Sequence, residues 1–250
     1  MLALLRRNFI VLKRSWHFML FADVLDNVVW LSLFVYGFAI YMPDIKGVSY
    51  QSFVIPGYFL FAGLYQLGME STHRFYAKIV HNPWWVSLLA TPLGVRRMVY
   101  SELFWVVLRS SVPVVVVFVL AYSFGLIVNM SWLFMGLPLV FALYFFYASC
   151  SLLFTLFMKN DENFIYYWVV FISPIFVVSG AFFDSAQLPA AFQMVIKLYP
   201  VSYVTAPLQN VMLWGHVNIY TYGFICLILL VSTIATMYLC ELQLKRRFLK

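Results

Sequence analysis

The sequence predicts an all-α polytopic membrane protein, and three observations carry that reading. Of 250 residues, 64% are hydrophobic and 10% charged, where a soluble domain carries roughly 25% charged residues. The mean hydropathy is +0.91. The apolar residues also gather in blocks near the ~20 residues a helix needs to cross hydrocarbon. The alternating ~10-residue segments of a membrane barrel are absent. Runs such as Val112–Leu120, flanked by further apolar sequence, read as helix. A soluble core is excluded.

Residues 1–20 read as an amphipathic helix lying in the membrane surface. Leu2, Leu5, Phe9, Leu12, Trp16 and Met19 recur at three- and four-residue steps, while Arg6, Lys13 and His17 fall on another face with Arg7 and Arg14 beside them. The other reading makes them the first turns of a long first span, which places four cations near hydrocarbon. No short apolar core with a small-residue cleavage site follows, so no removable signal peptide is expected.

The first span is predicted over Phe21–Tyr41, closed by Met42-Pro43-Asp44, and the second from Phe53 to Glu70 or slightly beyond. A polar stretch, Ser71–Glu102, contains a cytoplasmic region over 77–101. The third span is Leu103–Gly125 and the fourth Trp132–Met158. After the polar turn Lys159–Asn163 comes a fifth span, Phe164–Phe183. Segment 187–214 is apolar but broken by Pro189, Pro200 and Pro207. Backbone at membrane depth must find its hydrogen bonds within the protein, so this segment is expected to form a re-entrant pair of short helices. The sixth span is Ile219–Cys240, and Lys245, Arg246, Arg247 and Lys250 close a single domain, 1–250, without internal repeats.

The cations orient the chain. Thirteen of the 16 Lys and Arg lie at the N-terminus, after the second and fourth spans and in the tail; Lys46 and Lys197 lie opposite, and Arg109 falls within the third span. Positively charged loops stay inside, so both termini are expected in the cytoplasm and 187–214 on the outer side. The net charge of +7 therefore reports membrane orientation, and no nucleic-acid partner is expected.

Catalytic chemistry is not legible. Cys150, Cys226 and Cys240 have no paired spacing, and His17, His73, His81 and His216 have no ligand spacing, so no metal site is expected. No glycine precedes a lysine, which excludes the Gly-x-x-x-x-Gly-Lys phosphate loop; His-Glu-x-x-His and Gly-x-Ser-x-Gly are also missing. The chain is expected to be no enzyme and to bind no cofactor of its own.

Three groups of residues remain as site candidates. Glu70 and Arg109 either form an intramembrane ion pair, or Arg109 snorkels to the headgroups and the acids sit at interfaces. Asp23 and Asp26 are placed at the start of the first span, which leaves no acid near the midplane and weighs against a proton-driven carrier. Tyr58, Phe61 and Tyr65, with Phe164, Tyr166, Tyr167 and Trp168, either line a path for sugars or lipids or serve as lipid-facing packing. Finally, Pro83-Trp84-Trp85, Leu88-Leu89-Ala90-Thr91-Pro92-Leu93-Gly94 and Arg96-Arg97 read as a short surface helix, offered to a partner protein or to the headgroups.

Taken in order, this arrangement resembles the permease subunits of type-2 ABC exporters over essentially the whole chain. The likeness is sharpest in Phe164-Ile165-Tyr166-Tyr167, Ser173-Pro174, Ser179-Gly180-Ala181-Phe182-Phe183, Gln187-Leu188-Pro189 and Tyr199-Pro200-Val201-Ser202-Tyr203. Gly47-Val48-Ser49-Tyr50 points to the nodulation-type lipooligosaccharide branch. The resemblance implies a homodimer in the bacterial inner membrane with two copies of a separate ATPase, which supplies ATP and Mg. It makes Trp84, Trp85, Leu88, Leu89, Thr91, Pro92, Leu93, Gly94, Arg96 and Arg97 the region that couples to that ATPase. The chain departs from the family pattern at Val86, where an acid is common, and at Asp184, where proline is common. The cargo so implied is an amphipathic glycolipid or lipid-linked oligosaccharide. A drug-like hydrophobic molecule, an integral membrane acyl- or glycosyl-transferase and a passive scaffold are the rival readings.

Overall fold

The computed structural model describes residues 2–82, 87–88, 94–127, 130, 132–178, 180–183, 188–216 and 218–248. Among them the chain is helical throughout, with only an isolated bridge between Ile45 and Val48 outside helices and turns. The helices are α1 (Leu2–Ser32), α2 (Tyr50–Met69), α3 (Gly94–Ser123), α4 (Trp132–Phe157), α5 (residues 164–178), α6 (Ala190–Ile196), α7 (Pro200–Gln209) and α8 (Ile219–Phe248). Five segments are long and apolar enough to cross a membrane: Trp16–Phe38, Tyr50–Val80, Gly94–Ser123, Phe134–Phe157 and Ile219–Arg246.

The expected surface helix and first span form one unbroken helix. No proline or glycine occurs between Leu2 and Tyr36, so nothing in the backbone interrupts the ladder. Its apolar part is Trp16–Phe38 rather than Phe21–Tyr41, a shift of one turn or more toward the N-terminus. Phe9 and Trp16, on the predicted apolar face, are exposed, whereas Leu4 and Asn8 are buried. The chain then turns through Lys46 and Gly47, both with positive φ, and the Ser49 hydroxyl caps α2 by accepting from Ser52 N–H at 3.4 Å.

α2 is the central element, packed on α3, α4 and α7. It continues beyond Met69 as a π-type turn, Glu70–Arg74, and a last helical piece, Phe75–Val80. The polar residues predicted to end this span are instead buried within it. Ser71 and Thr72 bond back to the carbonyls of Leu67 and Gly68, at 2.6 Å each, which satisfies their hydroxyls inside the helix. With α3 beginning at Gly94, the stretch between these two helices shrinks from the expected 77–101 to residues 81–93.

Two glycines on α2 set how closely its neighbours approach. A Cβ on Gly57 would lie 2.7 Å from both Cα and the carbonyl oxygen of Ala181. One on Gly63 would overlap the ring of Tyr144, whose hydroxyl donates to the Phe59 carbonyl at 2.8 Å.

The predicted fifth span is short. Residues 164–178 are helical, with a π-type stretch at Trp168–Ile172, and Gly180 breaks from the helix with positive φ. At ~1.5 Å per residue this covers about 22 Å, less than the ~30 Å of hydrocarbon. The broken segment before the last helix does form two short helices, α6 and α7, the latter extended by Asn210–Trp214. It is tied down by Tyr199 to the Val170 carbonyl (2.8 Å), Gln209 to the Gly180 carbonyl (3.2 Å) and Tyr222 to the Pro207 carbonyl (2.5 Å).

Candidate functional site

α2 and α3 face each other through two stripes of charge. On α2, Glu70, Arg74 and Lys78 recur every four residues; on α3, Glu102, Trp105 and Arg109 recur at three and four. Lys78 Nζ lies 2.7 Å from Glu102 Oε2. Glu70 is bound twice, by Arg74 Nη1 at 3.0 Å and by the Trp105 indole N–H at 2.8 Å. Arg109 Nη1 lies 2.7 Å from Asp23 Oδ2 on α1, with Arg109 1% exposed and Asp23 11%. The N-terminal part of α1 joins this cluster, since Asn8 lines a small cavity with Glu70, Arg74, Lys78 and Trp105. Burial draws the Arg7 guanidinium below its ordinary pKa, opposed by the Glu102 carboxylate.

The anticipated Glu70–Arg109 pair is therefore replaced. Glu70 is already paired with Arg74 and bonded by Trp105, and Arg109 turns to α1 instead. Nor does Arg109 snorkel, being among the most deeply buried side chains. The reason is register: α1 packs on α3 so that Asp23 stands level with Arg109. A guanidinium there without a carboxylate would be strongly unfavourable.

α1 and α2 also enclose a cavity. Asp23 and Asp26 both lie inside the apolar segment Trp16–Phe38. The cavity, about 270 Å³, is lined from α1 by Asp23, Asp26, Asn27 and Trp30, from α2 and its continuation by Tyr58, Phe61, Tyr65, Gln66 and Arg74, and from α3 by Pro113. Asn27 donates to the Asp23 carbonyl at 2.7 Å and accepts from the Tyr58 hydroxyl at 3.2 Å. The Trp30 side chain hydrogen-bonds to Asp26. Sequence reading named Asp23 and Asp26 without assigning them to a site, and did not single out Asn27 or Trp30. The recurrence Asp23, Asp26, Asn27, Trp30 at three- and four-residue steps was the available signal.

Four of the predicted path residues come together as an aromatic strip. Ring centroids are 6.4 Å apart for Tyr58 and Phe61, 5.9 Å for Phe61 and Tyr65, and 5.0 Å for Tyr65 and Trp168. The strip continues at one end to Phe34 and Phe182 and at the other to His73 and Phe164. α2 and α5 meet where Gly68 lies under Tyr167, Trp168 and Ile172. Tyr167 meets the strip edge-on at Trp168, 6.5 Å between ring centroids, and is buried against Phe154 and Phe171, whereas Tyr166 is exposed.

Of the expected coupling residues, Trp84, Trp85, Leu89, Thr91, Pro92 and Leu93 lie outside the described residues, as do Val86, Ser179, Asp184 and Gln187. Leu88 packs on the core. Gly94, with φ of 71°, starts α3, and Arg96 and Arg97 are exposed on its first turn, Arg96 lying 5.7 Å from the centre of the Tyr100 ring.

A family profile of the ABC-2 type transporter matches residues 1–213. The chain belongs to that family. It is a membrane-embedded permease, the transmembrane component and not itself the catalytic one. Its relatives include nodulation protein J of Rhizobium meliloti (strain 1021), 24% identical over 251 residues, covering 99% of this chain and 94% of the relative. Nodulation protein J of Rhizobium leguminosarum bv. trifolii is 25% identical over 252 residues, covering 100% and 94%. That of Sinorhizobium fredii (strain NBRC 101917 / NGR234) is 27% identical over 216 residues, covering 85% and 80%.

Proposed function

We propose that this ABC-2 permease carries an amphipathic glycolipid or lipid-linked oligosaccharide out across the bacterial inner membrane. Its power comes from a separate ATPase, two copies of each chain forming the working unit. The observation that carries this reading is the cavity between α1 and α2, where carboxylate, amide and phenol groups stand among aromatic rings. Such a lining stacks on sugar faces and bonds their hydroxyls, while the exposed apolar flank of α1, including Phe18, Phe21, Leu25 and Val29, suits an acyl chain. At about 270 Å³ the cavity is at the low end for a ligand site, which fits one copy supplying half of a shared passage. The relatives named nodulation protein J support the lipooligosaccharide class.

In this reading both termini are cytoplasmic, α5 is the fifth of six spans, and α6 with α7 form the re-entrant pair on the outer side. Residues 84–97 seat in the ATPase. ATP binding there draws the two copies toward an arrangement with a different affinity for cargo, since only differential binding shifts such an equilibrium. The test is ATP hydrolysis by the complex reconstituted in vesicles. Deleting residues 84–94 is expected to abolish glycolipid-stimulated hydrolysis; full stimulation in the deletion rejects the coupling role. Uphill transport by this chain reconstituted alone would end the proposal.

A further inference from the structure

The carboxyl groups that line this cavity are not equally paired. Asp23 is paired with Arg109 at 2.7 Å, and the lining cation Arg74 is paired with Glu70 at 3.0 Å. Asp26 is different. Among the described residues no Lys or Arg reaches within 4.0 Å of its carboxylate, and its side chain is held by the Trp30 side chain. It is exposed toward the cavity rather than packed away. Among the described residues Asp26 is thus the one carboxyl group lining the cavity that has no cationic partner. A carboxylate within a membrane-spanning segment is costly unless something pairs with it, and the other polar groups around it, Asn27, Tyr58, Tyr65 and Gln66, are neutral.

We infer that Asp26 sets the specificity of this permease: it accepts from the hydroxyl or amino groups of a neutral or cationic sugar headgroup and turns away headgroups that carry phosphate. The inference rests on the cavity being the cargo site. It narrows the cargo from lipid-linked saccharides in general to glycolipids whose saccharide, at the point of recognition, bears donors and no anion. The chemistry is ordinary. A carboxylate has only acceptor sites, so sugar O–H or N–H groups satisfy it. A phosphate oxygen offers no donor and adds like charge at short range, where the low dielectric magnifies repulsion. The aromatic strip is indifferent to that charge, which leaves Asp26 as the discriminating group. Arg74 does not reverse the sign, because Glu70 occupies it.

The test uses the permease with its ATPase in lipid nanodiscs, following the binding of radiolabelled probes above that to empty nanodiscs. Three octyl glycosides serve as probes: octyl glucoside, octyl glucosaminide with a free amine, and octyl glucoside 6-phosphate. The wild type is expected to bind the amine and neutral probes at least tenfold more tightly than the phosphate probe. Asp26→Asn should erase that preference, and Asp26→Glu should retain it. Tyr65→Ala should weaken all three probes alike. A preference for the non-phosphorylated probes that survives Asp26→Asn, with binding intact, overturns the role of Asp26 and leaves the cavity as the cargo site. Binding of none of the probes to the folded complex overturns the cavity itself, and the inference with it. Preferred binding of the phosphate probe by the wild type overturns the inference alone.

Discussion

Two seams hold this bundle together, and they are made of different chemistry. Along α1, α2 and α3 the contacts are ionic: Asp23 with Arg109, Glu70 with Arg74 and Trp105, Glu102 with Lys78. Along α4 and its neighbours they are hydroxyl contacts and close shape. Thr236 of α8 donates to the Ser149 hydroxyl at 2.5 Å, Cys240 lies 3.6 Å from the Ser149 carbonyl, Ser151 bonds Ser71, and Thr155 donates to the Ser71 carbonyl at 2.9 Å. Small residues let helices approach in lipid, where apolar side chains gain nothing over lipid tails. The hydroxyl seam lies away from the cavity and behaves as scaffold. The charged seam borders the cavity, and its long side chains can exchange partners as helices shift.

The sharpest way to break this contrast is to strip one charge. Arg109→Leu leaves Asp23 alone inside the bundle, and removing one member of a buried pair costs about 3–5 kcal/mol. A loss of that size is expected in denaturant titration of the detergent-purified protein. Replacing both Asp23 and Arg109 with leucine should recover most of it while reducing cargo-stimulated ATP hydrolysis. A double variant no more stable than the single one would dissolve the claim that the two charges answer each other.

A smaller effect is expected where shape governs. Gly63→Ala forces a methyl into the buried ring of Tyr144, and overpacking costs about 1–3 kcal/mol. The same titration reads it, and an unchanged midpoint would show that α2 and α4 are looser than described. On the hydroxyl seam, Thr236→Val removes a bond typical of membrane helices, at ~0.6 kcal/mol. The smallest effect is expected for Tyr166→Ala. This residue is exposed and off the aromatic strip, so stability should stay within about 0.5 kcal/mol and cargo-stimulated hydrolysis should be unchanged. A large loss of activity would return Tyr166 to the path.

What the sequence disclosed follows from what each signal depends on. Helical class and the apolar segments depend on composition summed over twenty residues, which tolerates errors of placement. The helix breaks around α6 and α7 depend on Pro189 and Pro200, which act locally. The aromatic strip was half visible, because Tyr58, Phe61 and Tyr65 share a helical face, whereas Tyr166, Tyr167 and Trp168 are consecutive on one helix and so point to three different sides of it. Charge pairing was the least legible. It depends on which residues of neighbouring helices stand level with one another, and no pattern within a single helix shows that Asp23 of α1 meets Arg109 of α3. The polar residues Ser71 and Thr72 misled for a related reason, since bonds to their own helix let them remain inside it.

The unbroken α1 has a mechanical meaning. Its 31 residues make a rod of about 46 Å, with basic Arg6 and Arg7 at one end and Asp23 and Asp26 in its far half. A rod without a joint cannot absorb a tilt along its length. A displacement of the basic end is therefore carried along the helix toward Asp26 rather than taken up at a proline or glycine joint between them.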